Sequence, residues 1–348
     1  MPRVGILTGG GDCPGLNAVI RAAVRAGIRR HAMEVVGFRN GWAGVLSDDA
    51  IALNVQNTAG ILHRGGTILG TSRTNPFSGG SASGEDGGAR IRETLEGRGI
   101  DTLIAVGGED TLGVAQRLSD GGTRIVGIPK TIDNDLGGTD FTFGFQTAVQ
   151  IATDAIDRLH TTAESHHRVI VVEVMGRNAG WIATYSGMAG GADVILVPER
   201  PFDIDEVCDR IRRRQATGRT FSIVVVAEGA TPVGGTVTST SAQTDAFGHA
   251  RLGGIAVTLE AEIEKRTGFE ARMTILGHVQ RGGTPTAYDR VLATRFGVAA
   301  IDAVAAGRFG HMVALRATEI VCVPLQEALR EPKLLEPELY ETAEVFFG

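Results

Sequence analysis

VGILTGGGDCPGLNAVI, residues 4–20, decides the fold. Val4–Leu7 is a short apolar run, TGGGDCPG at 8–15 is a glycine-rich turn, and a helical pattern follows from about Gly15. Strand, glycine turn and helix in this order open a doubly wound α/β sheet. Three successive glycines let the backbone approach an anion, and the helix start offers free N–H groups. A tight strand-to-helix turn with no ligand would read the same way.

Working outward, similar β-branched runs recur at Val35–Phe38, Thr102–Val106, Ile125–Ile128, Val169–Val174, Val194–Val197, Ile223–Ala227 and Met273–Leu276, with helical patterns between them. This alternation predicts an α/β fold with largely parallel sheets, because strands apolar throughout suit burial on both faces. Ligands in such sheets bind at the C-terminal strand ends. Four exits are polar or glycine-rich there: TGGGDCPG, GGEDT (107–111), PKTIDND (129–135) and MGRNAG (175–180). The stretches Thr74–Gly88 and Thr231–His249 have little apolar periodicity and are expected to be exposed loops.

Composition removes several function classes. Of 348 residues, 49 are glycine, about twice the usual share and too many for a helical bundle. The length suits two domains. With 34 basic and 40 acidic residues the net charge is -6, which leaves no basic field for nucleic acid. No segment reaches the roughly 20 apolar residues that cross a bilayer, and no signal peptide is recognisable, so a cytoplasmic location is expected. Cys13, Cys208 and Cys322 are too widely spaced for a disulfide framework or a zinc site. Lys130, Lys265 and Lys333 are the only lysines, so a lysine kept in a loop asks for a reason. Neither a Walker A loop nor a GxGxxG fingerprint occurs.

The four exits carry the chemistry. Glu109 and Asp110 lie side by side after one strand, where hard oxygen ligands suit magnesium; as an alternative, both cap a helix starting near Leu112. Asp133 and Asp135 lie one residue apart, beside Thr131 and Lys130, which also fits a polar turn. Two acidic loops, a lysine and a glycine cradle together match the template for magnesium-assisted phosphoryl transfer. Arg168, Arg177, Arg272 and Arg281 sit beside glycine-rich turns with His278, which suggests a second pocket for a sugar phosphate; taken singly, each arginine reads as surface solvation and His278 as structural. Glu228 could accept hydrogen bonds from sugar hydroxyls or act as a buried cap.

In this order GGGDCPGLN, GGTILGTSR, GGEDT, PKTIDND, HHRVIVVEVMGRNAG, AEG and LGHVQRGG resemble the phosphofructokinase family over about residues 1–315. The resemblance implies two doubly wound three-layer domains with largely parallel sheets: residues 1–140 plus 281–330 for the phosphoryl donor, and 141–280 plus 331–348 for fructose 6-phosphate. It implies phosphoryl transfer to the 1-hydroxyl of that sugar with Mg2+, in a homo-oligomer, dimer or tetramer. Asp133 then resembles the general base and Thr131 the donor to the transferring group. Glu109 and Asp135 would serve the metal, and Glu109 replaces the family's usual aspartate. Arg177 would offset transition-state charge, with Met175 and Gly176 gripping the sugar. Glu228, His278 and Arg281 resemble further sugar-phosphate contacts. Arg168 and Arg272 match positions that reach the 6-phosphate from a neighbouring subunit. Gly10 and Arg73 would hold the outer phosphates.

Two positions bear on the donor. Members of the family that use ATP generally have glycine where this chain has Asp110 and Lys130, and side chains there would crowd the α-phosphate and ribose. Lys130 can instead neutralise a departing orthophosphate, so diphosphate is the expected donor. Lys130 is permissive and Asp110 the stronger discriminator. The alternatives are an ATP-dependent phosphofructokinase, a silent sugar-phosphate sensor, and a lipid or NAD kinase, which would lack the HHRV, MGR and GHVQRGG set. Residues 231–249 and the tail beyond Val323 depart from the short bacterial pattern without suggesting a role.

Overall fold

Neighbouring side chains of a strand point to opposite faces, so a strand apolar throughout needs cover on both sides. The computed structural model, which describes residues 1–78, 87–244, 246–248 and 250–348, supplies that cover around two sheets. From the N-terminus run β1 (Arg3–Thr8), α1 (Leu16–His31), β2 (Glu34–Phe38), α2 (Trp42–Leu46), β3 (Ala50–Leu53), α3 (Gly87–Gly97), β4 (Thr102–Gly107), α4 (Glu109–Asp120) and β5 (Ile125–Pro129). The long α5 (Phe145–His166) leads to β6 (Val169–Val174), α6 (Trp181–Ala189), β7 (Val194–Leu196), α7 (Ile204–Ala216), β8 (Ser222–Ala227), β9 (Ser239–Thr244), β10 (Ala250–Leu252), α8 (Ile255–Thr267) and β11 (Ala271–Ile275). A 3-10 turn at Gly277–Arg281 precedes α9 (Ala287–Ala305), β12 (His311–Arg316), β13 (Glu319–Pro324), α10 (Leu325–Ala328) and α11 (Pro337–Glu344).

The larger sheet has the order β13-β12-β5-β4-β1-β2-β3 and is parallel except for its outer pairs, β2–β3 and β12–β13. The smaller, β11-β6-β8-β7, is parallel throughout. Alternate residues divide between layers. Val4 and Ile6 of β1 and Ile104 and Val106 of β4 join a central core, whereas Leu7, Leu103 and Ala105 join an outer one. From the smaller sheet Ile170, Val172, Ile223 and Val225 reach the same central core, while Val171, Val224 and Val226 face a third. Residues of α1, α5, α6 and α9 fill the shared layer, which couples the two sheets. Helices α1 and α9 meet so closely that a Cβ at Gly297 would lie 2.6 Å from the Val19 carbonyl oxygen.

The α/β architecture with largely parallel sheets is the expected one, and all eight apolar runs are strands. Three corrections concern local structure. The stretch 231–249, expected as a loop, contains β9, which pairs antiparallel with β10; its sequence, STSAQT, carries no apolar alternation to announce it. Strands β3 (AIAL), β12 (HMVALR) and β13 (EIVCVP) fall outside those eight runs although they too are mostly apolar, because a short apolar run alone does not separate a strand from a buried helix segment. Helix α4 begins at Glu109, not Leu112. Of the other expected loop, residues 79–86 lie outside the described residues, and Gly87 and Gly88 open α3. Among the described residues no helix is long and apolar enough to cross a membrane, and Cys13, Cys208 and Cys322 are free thiols.

Candidate active site

The four strand exits meet in one place because β1, β4 and β5 are neighbours in one sheet and β6 and β8 in the other. After β1 the glycine turn is fastened to the Thr71–Arg73 segment: Gly10 N–H donates to Ser72 O at 3.0 Å, and the Thr71 hydroxyl donates to Gly10 O at 2.6 Å. Gly10 has φ of +77°, a conformation side chains rarely adopt. A Cβ at Gly11 would lie 2.5 Å from Arg281 Nη1, so the guanidinium packs directly against this turn. The turn thereby brings Gly10, Gly11, Arg73 and Arg281 to one wall.

After β4, Gly108 occupies the N-cap of α4 and no side chain caps it. Glu109 and Asp110 therefore stand in the first turn, where the helix dipole favours carboxylates, and the capping alternative is not what the chain does. After β5, Lys130 is almost wholly buried, and its ammonium donates to the Gly11 carbonyl. Burial lowers its proton affinity. The TIDND loop then braces itself. Thr131 Oγ accepts from Asp133 N–H at 3.1 Å, Asn134 takes a left-handed φ of 54°, and its side-chain oxygen accepts from Thr142 N–H at 3.1 Å.

From the smaller sheet, β6 runs into Met175, Gly176 and Arg177. Met175 N–H donates to Gln280 Oε1 at 3.3 Å, which ties this exit to the 3-10 turn that ends in Arg281. Glu228 follows β8, its N–H donating to Val174 O at 2.9 Å. Gly10, Gly11, Arg73, Glu109, Asp110, Lys130, Thr131, Asp133, Asp135, Met175, Arg177, Glu228 and Arg281 line a single solvent-open cleft.

Carboxyls crowd this cleft. Burial raises the pKa of Asp133, against the pull of Arg281, Arg177 and Lys130. Burial and then the charge of Asp133 push Asp135 up to about 7, and the same two causes push Glu228 up to about 7. Asp133 Oδ1 is buried without a hydrogen-bond partner. A carboxylate oxygen in that state is an acceptor waiting for a donor. The crowding also fits a divalent cation. No three ligating side chains converge among the described residues, but magnesium commonly takes one or two carboxylates with substrate phosphates completing its shell.

Four expected contacts do not line the cleft: Gly176, although Met175 and Arg177 on either side of it do, and three that lie elsewhere. Arg168, at the start of β6, pairs with Glu270 at 2.8 Å, and Arg272, near the start of β11, pairs with Glu264 at 3.3 Å and with Glu270 at 2.5 Å. Both occupy the end of the sheet remote from the cleft. His278 is exposed on the 3-10 turn and does not line the cleft. The cleft adds Gly108, Thr111 and Asn178, which were not singled out. Each lies inside a strand-exit motif, and that position was the available signal.

A sequence profile described as phosphofructokinase matches residues 3–304, and the chain belongs to the phosphofructokinase family. It is 62% identical to the pyrophosphate–fructose 6-phosphate 1-phosphotransferase of Amycolatopsis methanolica over 347 residues, 99% of this chain and all of that one. It is 53% identical to an ATP-dependent 6-phosphofructokinase of Mycobacterium tuberculosis, again over 99% of this chain. Among solved structures, phosphofructokinase of Saccharomyces cerevisiae superposes with a TM-score of 0.81 at 32% identity, covering 95% of this chain and 45% of the yeast chain. The pyrophosphate-dependent phosphofructokinase of Marinobacter aquaeolei shares the fold, with a TM-score of 0.83 at 23% identity over 97% of this chain and 86% of that one.

Proposed function

We propose that the protein transfers a phosphoryl group reversibly from magnesium diphosphate to the 1-hydroxyl of fructose 6-phosphate. The observation that carries this reading is Asp133: an unsatisfied buried carboxylate oxygen in the one cleft that the glycine turn, Lys130, Arg177 and Glu228 also line. Asp133 accepts the hydroxyl proton as the sugar oxygen bonds to phosphorus and the bridging P–O bond breaks, and orthophosphate leaves. Thr131 donates to the transferring group. Arg177 offsets the charge that develops, and Lys130 with Arg73 and Gly10 holds the departing phosphate. Glu109 and Asp135 would hold magnesium, which when bound neutralises phosphate charge.

Residues 1–140 plus 281–330 would form the donor body and 141–280 plus 331–348 the sugar-phosphate body. A second copy completes the pocket in this reading. Support comes from the edge strand β11, where Met273 and Ile275 are exposed, and from exposed Val279, Tyr288 and Val291 nearby in sequence. Arg168 and Arg272 would then serve the neighbour's sugar phosphate.

The donor assignment rests on Asp110 and Lys130, and on the higher identity to the relative named for pyrophosphate. Turnover of fructose 6-phosphate with diphosphate and with ATP, each with magnesium, tests it. Diphosphate should be strongly preferred, and Asp110→Gly should raise kcat/KM for ATP. An unaltered enzyme that prefers ATP would reject the donor while leaving the site intact.

A further inference from the structure

Of the three lysines in the chain, Lys130 lines the cleft and Lys265 is exposed on α8. Lys333 lies in the tail between α10 and α11, outside every motif that marks the active site. Its bonds nevertheless lead there. Lys333 N–H donates to the Asp135 carbonyl at 2.8 Å, and its ammonium donates to the Asp140 carbonyl. Both acceptors belong to the segment that carries Asp133.

The other contacts of Lys333 lie in the second body, 141–280 plus 331–348, to which it belongs. Its carbonyl accepts from Trp181 Nε1 at 3.1 Å, and its ammonium lies 4.7 Å from the Trp181 ring centroid and 5.4 Å from that of Phe141. Two residues on, Leu335 N–H donates to Glu199 at 2.9 Å, and the same carboxylate accepts from Gly180 N–H at 3.0 Å. Gly180 and Trp181 directly follow the loop of Arg177 and Asn178. Residues 333–335 thus join the loop that holds the base to the loop that holds the transition-state arginine.

We propose that Lys333 is a positioning residue for phosphoryl transfer, holding the Asp133–Asp135 loop in register with the Arg177 loop across the two bodies. This rests on the reading of the site given above. It touches no substrate, so its effect falls on the geometry of the transition state. Small displacements of reacting groups are costly there, up to about a hundredfold for 1 Å.

Lys333→Met keeps the apolar stem between the rings and removes the charge. The variant should lower kcat by about tenfold or more with KM for both substrates within about twofold, the pattern of an interaction felt only in the transition state. Glu199→Gln weakens the opposite anchor and should give the same selective fall in kcat, which keeps the test open if Lys333→Met fails to fold. The double variant should be little worse than the poorer single variant, because both act through one connection. An active wild-type enzyme whose Lys333→Met or Glu199→Gln form keeps kcat within about twofold overturns the proposal, as does a double variant whose losses multiply. A wild-type enzyme inactive with diphosphate and with ATP overturns the reading of the site and this proposal with it.

Discussion

Strand β6 has an arginine just before it and another three residues beyond it, and the two keep different company. Arg177 faces the cleft, close enough to Asp133 and Glu228 to pull both carboxyls toward ionisation. Arg168 is held by Glu270 at the other end of the sheet. The strand between them has six residues, about 20 Å at the usual rise. One sugar phosphate in one chain cannot reach both. Similar residues beside similar apolar strands therefore serve different places, and strand direction separates them: C-terminal ends converge on the cleft, and N-terminal ends turn away from it.

The largest effect should come from the cleft end. Asp133→Asn keeps the shape of the side chain and removes its ability to take a proton. Its kcat should fall by about 10²- to 10⁴-fold with KM for fructose 6-phosphate little changed, the range expected for a general base. Near-normal turnover would put the base elsewhere.

At the remote end, Arg168→Ala should act chiefly on KM for fructose 6-phosphate, raising it about tenfold or more, because a charge-assisted phosphate contact binds ground state and transition state alike. Mixing decides where Arg168 works. Refolding Asp133→Asn together with Arg168→Ala chains should restore about a quarter of wild-type activity at limiting substrate if random dimers form and Arg168 reaches across a two-fold interface. A mixed dimer then has one site with neither defect. No recovery would return Arg168 to its own chain or to a purely structural part.

The smallest effect sharpens the comparison from within β6. Glu173 is buried between the two arginines, and its carboxylate accepts from Gly254 N–H at 2.9 Å and Ala256 N–H at 2.9 Å, capping the start of α8. Glu173→Gln should cost about 1–2 kcal/mol of stability through the loss of charge-assisted bonds. Kinetic constants at low temperature should change little. Urea denaturation read against kcat separates the two, and a large loss of kcat would make Glu173 part of the site.

Much of the site was legible because it is local. TGGGDCPG, GGEDT, PKTIDND and MGRNAG each follow an apolar strand, and parallel sheets present such exits at one edge. Residues whose role depends on distant partners were harder to read. His278 shares a motif with Arg281, yet the 3-10 turn sends Arg281 to Gly11 and leaves His278 exposed. Glu109 and Asp110 looked equally suited to capping, and only the helix start at Glu109 separates the readings.

Sequence alone determined the strand runs, the glycine turns and the chemistry carried at each exit, since burial on two faces and positive φ leave marks on neighbouring residues. Tertiary structure decided which exits share a cleft, that Arg168 and Arg272 stand outside it, and that the tail at Lys333 reaches the loop of Asp135. Those facts depend on strand order and on hydrogen bonds between segments far apart along the chain, where a carbonyl accepts from any backbone N–H and leaves no imprint on residue identity.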